Sequence, residues 1–340
     1  MQDYIYEQDY SLKELPQTIK ELLQNANLPW LNSFEFCLGY VPNPAERVLL
    51  RMKGGNIHQV VFYRLIKRMG FLRTIEVIGF PNIVKQDIQG LFKTHKAYLA
   101  TLNHLEQPVK PDENWCSTHA NVYCHTYVTI AKLPTSKDEY LNLLGKNRKR
   151  QLPQYLRKVN RYFENPIEIR YESAKEIKFE DVIQLECLNR KRRAGKGKGV
   201  DSICDIQDRQ QRRWHLTESL GLLVTLRYQG NIIGGTLNYI YGNEALMIVV
   251  AHDTQYDHLR LGHMSIWKTM EHLIDKGISE CNLLWGRKEF KTQFLGVEYP
   301  WSVHIISLYP LLAIVWKIQI CFNAFYMRAW RLLMTRVGVN

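Results

Sequence analysis

The chain has 340 residues, of which 46% are hydrophobic and 23% are charged, and this composition excludes a disordered or fibrous protein. Lysines and arginines number 45 against 33 aspartates and glutamates, so the formal net charge of +12 favours anionic partners. No segment reaches the ~18 apolar residues of a spanning helix, the start lacks signal-peptide features, and the seven scattered cysteines indicate no disulfide framework. We therefore expect a globular, cytoplasmic protein with one large or two smaller domains.

The N-terminal part of the chain alternates short strands with helical stretches. A helix is predicted over Ser11–Ala26, and a hairpin over 48–65 has a second arm that is either a strand or a helix. A strand follows at Thr74–Phe80. Apolar spacing predicts a helix over 85–105, and alternation predicts a strand over Asn121–Ile130.

The C-terminal part begins with the basic residues 138–163, which predict one or two helices interrupted near Pro153. A helix over Asp181–Arg190 comes next. Three strands joined by Gly/Asn turns then follow, namely Leu222–Tyr228, Ile232–Ile240 and Ala245–Ala251. A helix over Gly262–Lys276 precedes a strand over Glu280–Trp285. Because a helical crossover usually joins parallel strands, we expect the last two strands to be parallel.

Two basic clusters lie within residues 141–213. The first extends from Lys146 to Arg161 without an intervening acid, and the second packs six cations into Arg190–Gly199. Such clusters attract the phosphates of a nucleotide cofactor or a tRNA, or an anionic membrane face. A solvated helix face and a solvated loop are the structural alternatives.

The segment between the third strand and the next helix is the predicted ligand site. In sheets with this crossover, ligands bind beyond the carboxyl ends of the strands, here at His252–Gly262. Gly262 allows close approach of the backbone, and the free amides of a helix start favour phosphate. We therefore predict cofactor-binding residues at Val250, Arg260, Gly262 and His263.

Four stretches between residues 140 and 295 form a recognisable pattern. They are the basic helix Lys146–Lys158, the loop Asn189–Gly199, the segment Ala251–Gly262 and the turn Gly286–Lys291. This pattern resembles the acetyltransferase-like domain of the FemAB and cellulose-biosynthesis (CelD-type) branch of the GNAT superfamily. The resemblance implies an α+β fold with a mixed sheet and tandem GNAT-like domains, of which the N-terminal copy is degenerate. It also implies transfer of acyl or aminoacyl groups to amines.

Three residues depart from the pattern of that family. His252 stands where tyrosine is common, Leu261 replaces the usual proline, and Asn282 lies where the last strand often carries an aspartate. The asparagine favours a non-catalytic interpretation of the fold.

Acyl transfer to an amine needs a polarised carbonyl, a deprotonated amine and a stabilised oxyanion. Strand-edge amides near Val250 are expected to polarise the carbonyl. The catalytic candidates are Asp253 or His252 as proton acceptor, Tyr256 as proton donor to the leaving group, and Lys291, whose role as oxyanion partner the resemblance implies. Each candidate also has a structural alternative. Asp253 could cap a turn, and His252 could be a histidine whose hydrogen bonds are satisfied at the end of the sheet. Tyr256 could be packed, and Lys291 could be a surface lysine.

A metal site is not expected. Cys116, His119, Cys124 and His125 do not have a standard zinc spacing, and strand alternation would point the last two to opposite faces.

The region from Ser302 onward carries four cations and no acid. Residues 305–320 predict a strand and a helix that pack on the fold, whereas 321–340 resemble either an interfacial membrane helix or a helix docked on the first domain. The expected domains are 1–135, 136–310 and a basic amphipathic helix over 311–340. The expected location is cytoplasmic, including the inner membrane face.

Three functions are consistent with this pattern. The first is an N-acyltransferase that uses acyl-CoA and acts on an amine of a small molecule, an amino sugar or a lipid or envelope precursor. It ranks first because no charged coiled-coil arm is evident. The second is a FemAB-like transferase whose basic surfaces hold aminoacyl-tRNA. The third is a non-catalytic GNAT-fold protein that assists envelope polysaccharide synthesis. DNA is not an expected partner.

Overall fold

A computed structural model describes residues 5–26, 28–54, 56–68, 72–79, 85–105, 116–120, 127–195, 200–286, 288–307, 309, 311–319, 321–322 and 325–326. The strands are β1 (Ile5–Ser11), β2 (Arg47–Lys53), β3 (Asn56–Arg68), β4 (Leu72–Ile78), β5 (Leu99–Leu105), β6 (Cys116–Ala120), β7 (Tyr127–Lys132), β8 (Glu168–Ser173), β9 (Gly221–Tyr228), β10 (Asn231–Tyr241), β11 (Glu244–His252), β12 (Glu280–Trp285) and β13 (Gly296–Ser307). The α-helices are α1 (Gln17–Asn25), α2 (Lys85–His95), α3 (Lys137–Leu143), α4 (Gly145–Tyr162), α5 (Phe179–Ala194), α6 (Ile203–Leu220), α7 (Leu261–Asp275) and α8 (Glu289–Thr292), and a further helix covers 311–319.

These elements form two compact units. The first combines Met1–Thr126 with Pro300–Met327, and the second contains Tyr127–Tyr299. The domain limits expected at residues 135 and 310 stay predictions. No helix in the described part of the chain is long and apolar enough to cross a membrane.

The two units repeat one arrangement of strands and helix. In the first unit β2, β3 and β4 pair antiparallel, α2 follows, and β5 pairs parallel with β4. In the second unit β9, β10 and β11 pair antiparallel, α7 follows, and β12 pairs parallel with β11. In each unit the strand after the helix also pairs with an antiparallel strand, β5 with β13 in the first unit and β12 with β7 in the second. This repeat confirms the predicted tandem α+β fold with mixed sheets.

The sheet of the second unit is covered on both faces. Along β9 the side chains alternate, so that Leu222 and Val224 belong to the apolar cluster built with α4 and α7. Leu223, on the opposite face, packs in a cluster with Val182 and Leu185 of α5. The end of β11 is thereby held between a layer containing α7 and a layer containing α5.

The break in the basic helical region differs from the prediction. Pro153 lies inside α4 on an exposed position, where the hydrogen bond that proline removes is replaced by solvent. The chain breaks instead at Gly145, whose φ of 81° is left-handed and separates α3 from α4.

One predicted helix and one predicted loop differ from the structure at one end. The helix predicted over 85–105 ends at His95, since Lys96 adopts φ 50°, and Leu99–Leu105 forms β5 instead. The predicted loop Asn189–Gly199 is helical as far as Ala194, so its cations from Arg190 to Arg193 lie in the last turn of α5.

Helix α6 and the strands β1, β6 and β8 were missed, and the helix predicted from Ser11 begins at Gln17. The start of α6 carries a readable signal, because Ser202 accepts a hydrogen bond from the Asp205 amide at 3.0 Å and the Asp205 carboxylate accepts from the Ser202 amide at 3.1 Å. This reciprocal pair is a capping box. Part of the strand predicted over Asn121–Ile130 lies outside the described residues, and β7 covers Tyr127–Lys132.

Candidate functional site

The sheet of the second unit opens between β11 and β12. Their parallel pairing joins only Glu244–Leu246 to Glu280–Asn282, although β11 continues to His252 and β12 to Trp285. The carboxyl half of β11 therefore has an edge that β12 does not cover.

A bulge at the end of β12 accompanies this separation. Leu284 has a φ of 60°, and the register of β12 against β7 shifts between Asn282 and Trp285. The Leu284 amide donates a hydrogen bond to Asn282 Oδ1 at 2.9 Å. Asn282, which stands where the family pattern often has an aspartate, thus shapes the strand end.

The backbone amide of Val250 points to the uncovered edge of β11. The Asp253 amide donates to the Ile233 carbonyl at 2.8 Å, so Asp253 is a hydrogen-bonded position of the ladder with β10. Because such positions alternate along antiparallel strands, Ala251 also bonds to β10 and Val250 directs its backbone groups to the other edge. The Val250 amide is therefore a donor at the opening and has no backbone partner among the described residues.

The first turn of α7 lies against the end of β11. A Cβ atom on Gly262 would be 2.8 Å from His252 Nδ1, so any larger residue here must displace this imidazole. Arg260 precedes the helix in a left-handed conformation, with φ 60°, and no side chain caps the helix. Within the described ranges the amides of Leu261 and Gly262 have no acceptor, as is usual for a first helical turn. Such amides bind phosphate groups.

His252 is held in place by an acidic partner. Its Nε2 lies 2.7 Å from Asp257 Oδ1, and Asp257 belongs to the β11–α7 turn (Thr254–Leu259). Arg192 of α5 is mostly buried, which lowers the pKa of its guanidinium, while the charge of Asp257 raises it. The Asp257 charge therefore acts both on the end of β11 and on the end of α5. Sequence reasoning missed Asp257 and found Arg192 only as part of a basic run.

His263 is half-buried between two aromatic rings. Its ring centroid is 6.2 Å from that of Tyr155 and 6.0 Å from that of Phe294. Burial lowers the pKa of His263, and the positive charges of Arg148 and Arg260 lower it further. Arg148 itself lies 5.8 Å over the Phe294 ring. The neutral imidazole is therefore favoured at this predicted cofactor-binding residue.

Two of the predicted catalytic residues have structural contacts. The Asp253 side chain accepts a hydrogen bond from the Gln255 amide at 3.1 Å and so caps the β11–α7 turn. The Tyr256 ring packs edge-on against Phe163 and Tyr162, with centroids 5.2 and 6.0 Å apart. The catalytic roles of both residues, and that of His252, stay predictions.

Lys291 is buried, with 4% of its surface exposed, so the alternative of a surface lysine is wrong. Its Nζ donates to the carbonyls of Leu284, Trp285 and Gly286 at 2.9, 2.7 and 3.0 Å. Burial lowers the pKa of Lys291 to about 8. These bonds use all three ammonium donors, so the predicted contact with an oxyanion requires one of them to open.

The corresponding strand end of the first unit is covered. Gly79 follows β4, and a Cβ atom there would lie 2.4 Å from the Leu31 carbonyl oxygen. Cys37 is fully buried with its sulfur 4.0 Å from the Ile78 carbonyl, and Trp30 is also fully buried. The segment 30–40 thus occupies the end of β4, which accords with a degenerate first copy.

Metal ligands do not cluster in the part of the chain that the structure describes, where no group of three or more His, Cys, Asp or Glu side chains is arranged to hold an ion. Cys124 and His125, two of the four residues considered for zinc, lie outside it.

Comparison with known proteins places this site in a recognised domain. Residues 148–292 match the family model of the acetyltransferase (GNAT) domain, and this segment contains the end of β11, the start of α7 and Lys291. No curated protein matches the sequence.

Solved structures extend the similarity to most of the chain. The structure of FemX matches with a TM-score of 0.58 and 12% identity, covering 84% of this chain and 95% of FemX. L-PGS from Bacillus licheniformis matches with a TM-score of 0.49 and 12% identity, covering 90% of this chain and 96% of that one. A tandem GNAT protein from the clavulanic acid biosynthesis pathway matches with a TM-score of 0.47 and 11% identity, covering 90% and 99%. At these identities the FemX match establishes the fold.

Proposed function

Because residues 148–292 match the model of the acetyltransferase (GNAT) domain and the fold resembles that of FemX, we propose that the chain transfers an acyl group from acyl-CoA to an amine. The observation that carries this proposal is the meeting of two sets of open backbone donors, the Val250 amide and the first-turn amides of α7. The acceptor class is a small-molecule amine, an amino sugar, or a lipid or envelope precursor.

The donor site follows from the chemistry of acyl-CoA. Its pyrophosphate would bind the amides of Leu261 and Gly262, where the helix dipole favours negative charge and Arg260 adds an exposed cation. Its thioester carbonyl would accept a hydrogen bond from the Val250 amide at the uncovered edge of β11. This bond strengthens as negative charge develops on the oxygen during attack.

The reaction joins the amine nitrogen to the carbonyl carbon and breaks the carbon–sulfur bond. We assign the amine proton to Asp253, through the carboxylate oxygen that does not cap the turn or through a water molecule. Tyr256 would protonate the departing thiolate. Lys291 positions the end of β12 through its three carbonyl contacts, and His252 with Asp257 positions the start of α7.

Calorimetric titration with acetyl-CoA, a long-chain acyl-CoA and free CoA tests the donor. We expect micromolar binding that weakens at least about fivefold in Arg260→Gly, since this change removes one cation at the phosphate site. Glycine also relieves the left-handed conformation of Arg260, so the variant stays folded. Lys96→Gly is the matched control, because Lys96 is an exposed cation with φ 50° in the first unit. Absence of binding by every CoA species would remove the acyl-CoA proposal.

A second candidate function, transfer from aminoacyl-tRNA, is favoured by one surface of α4. Lys146, Arg150, Arg157 and Arg161 are exposed and fall within one side of the helix, over a length of about 22 Å. They form no ion pair with the residues that the structure describes. This side is opposite the buried Leu152 and Val159. Strongly salt-dependent tRNA binding, lost when these four cations become glutamates, would support this candidate over the first.

A further inference from the structure

The helix over 311–319 packs against the first unit with one side only. Ala313 and Trp316 are 2% and 9% exposed and join an apolar cluster with Leu72, Leu99 and Ile305. The packing predicted for this region is therefore confirmed, and it fixes which side of the helix faces outward.

The outward side is also apolar. Spacings of three and four residues place its large side chains on one stripe. The stripe consists of Leu311 (77% exposed), Ile314 (50%), Val315 (56%) and Ile318 (63%), and the side chains of Phe322 (61%) and Phe325 (68%) further along the chain are also exposed. Single exposed apolar residues are common on protein surfaces, but a contiguous stripe of this kind marks a binding face.

The charges in this part of the sequence indicate what binds the stripe. Glu298 is the last acidic residue of the sequence, and the region beyond it carries the cations Lys317, Arg328, Arg331 and Arg336. Apolar side chains flanked by cations, without acids, are typical of a helix that lies in the headgroup region of a membrane. Two identical cationic regions repel each other, which disfavours a second copy of the chain as the occupant.

We propose that the outward stripe of residues 311–318 binds the surface of an anionic phospholipid bilayer. The sequence predicted packing on the fold for residues 305–320 and, for 321–340, either membrane contact or docking on the first domain. In the structure one helix provides both surfaces, with Trp316 turned to the protein and Ile314 and Ile318 turned away from it. This proposal does not depend on the acyl donor or the acceptor.

Vesicle co-sedimentation of the full chain tests the proposal. We expect binding to vesicles of phosphatidylcholine mixed with phosphatidylglycerol, weaker binding to phosphatidylcholine alone, and a decrease as salt is added. The variant Ile314→Gln/Ile318→Gln should bind at least about tenfold more weakly, because it removes two apolar side chains from the lipid contact. Leu143→Gln/Ile203→Gln is the matched control, since these side chains are 56% and 48% exposed in the second unit.

Thermal unfolding checks that the first variant is folded, and its exposed positions predict no change. Three results would overturn the proposal: no binding of the wild type to anionic vesicles, equal binding of wild type and Ile314→Gln/Ile318→Gln, or equal loss in the control pair. A concentration-dependent dimer without vesicle binding, abolished in Ile314→Gln/Ile318→Gln, would assign the stripe to a second copy instead.

Discussion

His252 occupies the space beside Gly262 that a side chain there would need, since a Cβ atom on Gly262 would lie 2.8 Å from His252 Nδ1. The 2.7 Å bond between His252 Nε2 and Asp257 prevents the ring from turning away freely. This arrangement brings the open amides of the first turn of α7 to the end of β11. The donor site therefore depends on the absence of one methyl group.

Gly262→Ala should destabilise the protein by about 1–3 kcal/mol, because the added methyl must displace His252. In open space the same change inside a helix would stabilise by up to about 1 kcal/mol, so the sign of the effect identifies the contact. Urea unfolding measures it. In the double variant with His252→Ala the penalty should shrink, and an unchanged penalty would show that the strain lies elsewhere.

Val250→Pro should slow acyl transfer strongly while leaving the fold intact. Proline removes the amide, and this amide points to the uncovered edge of β11 rather than to β10. Loss of a donor to a developing oxyanion typically slows the reaction by about 10²–10³-fold. Release of CoA in the presence of an acceptor amine measures the rate, and Val250→Ala, which keeps the amide, is the control. A Val250→Pro enzyme as active as the control would exclude this role.

The lowered pKa of Lys291 predicts how the free energy of unfolding depends on pH. Its folded pKa of about 8 lies below the unfolded value of about 10.4, so between these values the unfolded chain binds more protons than the folded one. Through this group the free energy of unfolding rises as pH increases across that window and is constant below it. We would measure urea unfolding of the wild type and of Lys291→Met at several pH values between about 7 and about 10. The difference between the two proteins should change with pH in this sense, and parallel curves would contradict the lowered pKa.

A hydrogen-bond cluster in the first unit provides a prediction away from the site. The Tyr63 hydroxyl donates to Asp9 at 2.6 Å, accepts from Arg47 at 3.2 Å and lies 2.7 Å from His95 Nε2. Tyr63→Phe should destabilise the protein by about 1–2 kcal/mol, since the hydroxyl is buried and its partners lose a bond. Tyr98→Phe, on a 44% exposed side chain, should change stability by less than about 0.5 kcal/mol. Similar unfolding curves for both variants would show that the cluster contributes little.

Local sequence predicts β9, β10 and β11 of the second sheet well, because these strands are apolar and the turns at Gly230 and Gly242 are short. It misses β8, whose side chains are mostly exposed. It does not predict β5, where helical spacing continues past Lys96. Pairing with β4 and with the distant β13 decides that Leu99–Leu105 is extended. Such pairing is a tertiary effect that local propensity does not contain.

The same distinction between local and tertiary information applies to the candidate site. Val250 and Gly262 are predictable, since strand order and a glycine before a helix place both at the carboxyl end of the sheet. The partners of His252 and Lys291 are not. Asp257 reaches His252 through the course of the β11–α7 turn, and the carbonyls around Lys291 converge because Leu284 has a positive φ. Neither conformation follows from residue type.

A crystal structure of the protein with acetyl-CoA tests the account most directly. We predict the pyrophosphate on the amides of Leu261 and Gly262, and the thioester carbonyl oxygen about 3 Å from the Val250 nitrogen. Acetyl-CoA bound elsewhere, or bound at α7 with its carbonyl away from β11, would contradict the proposed donor site and the role of Val250.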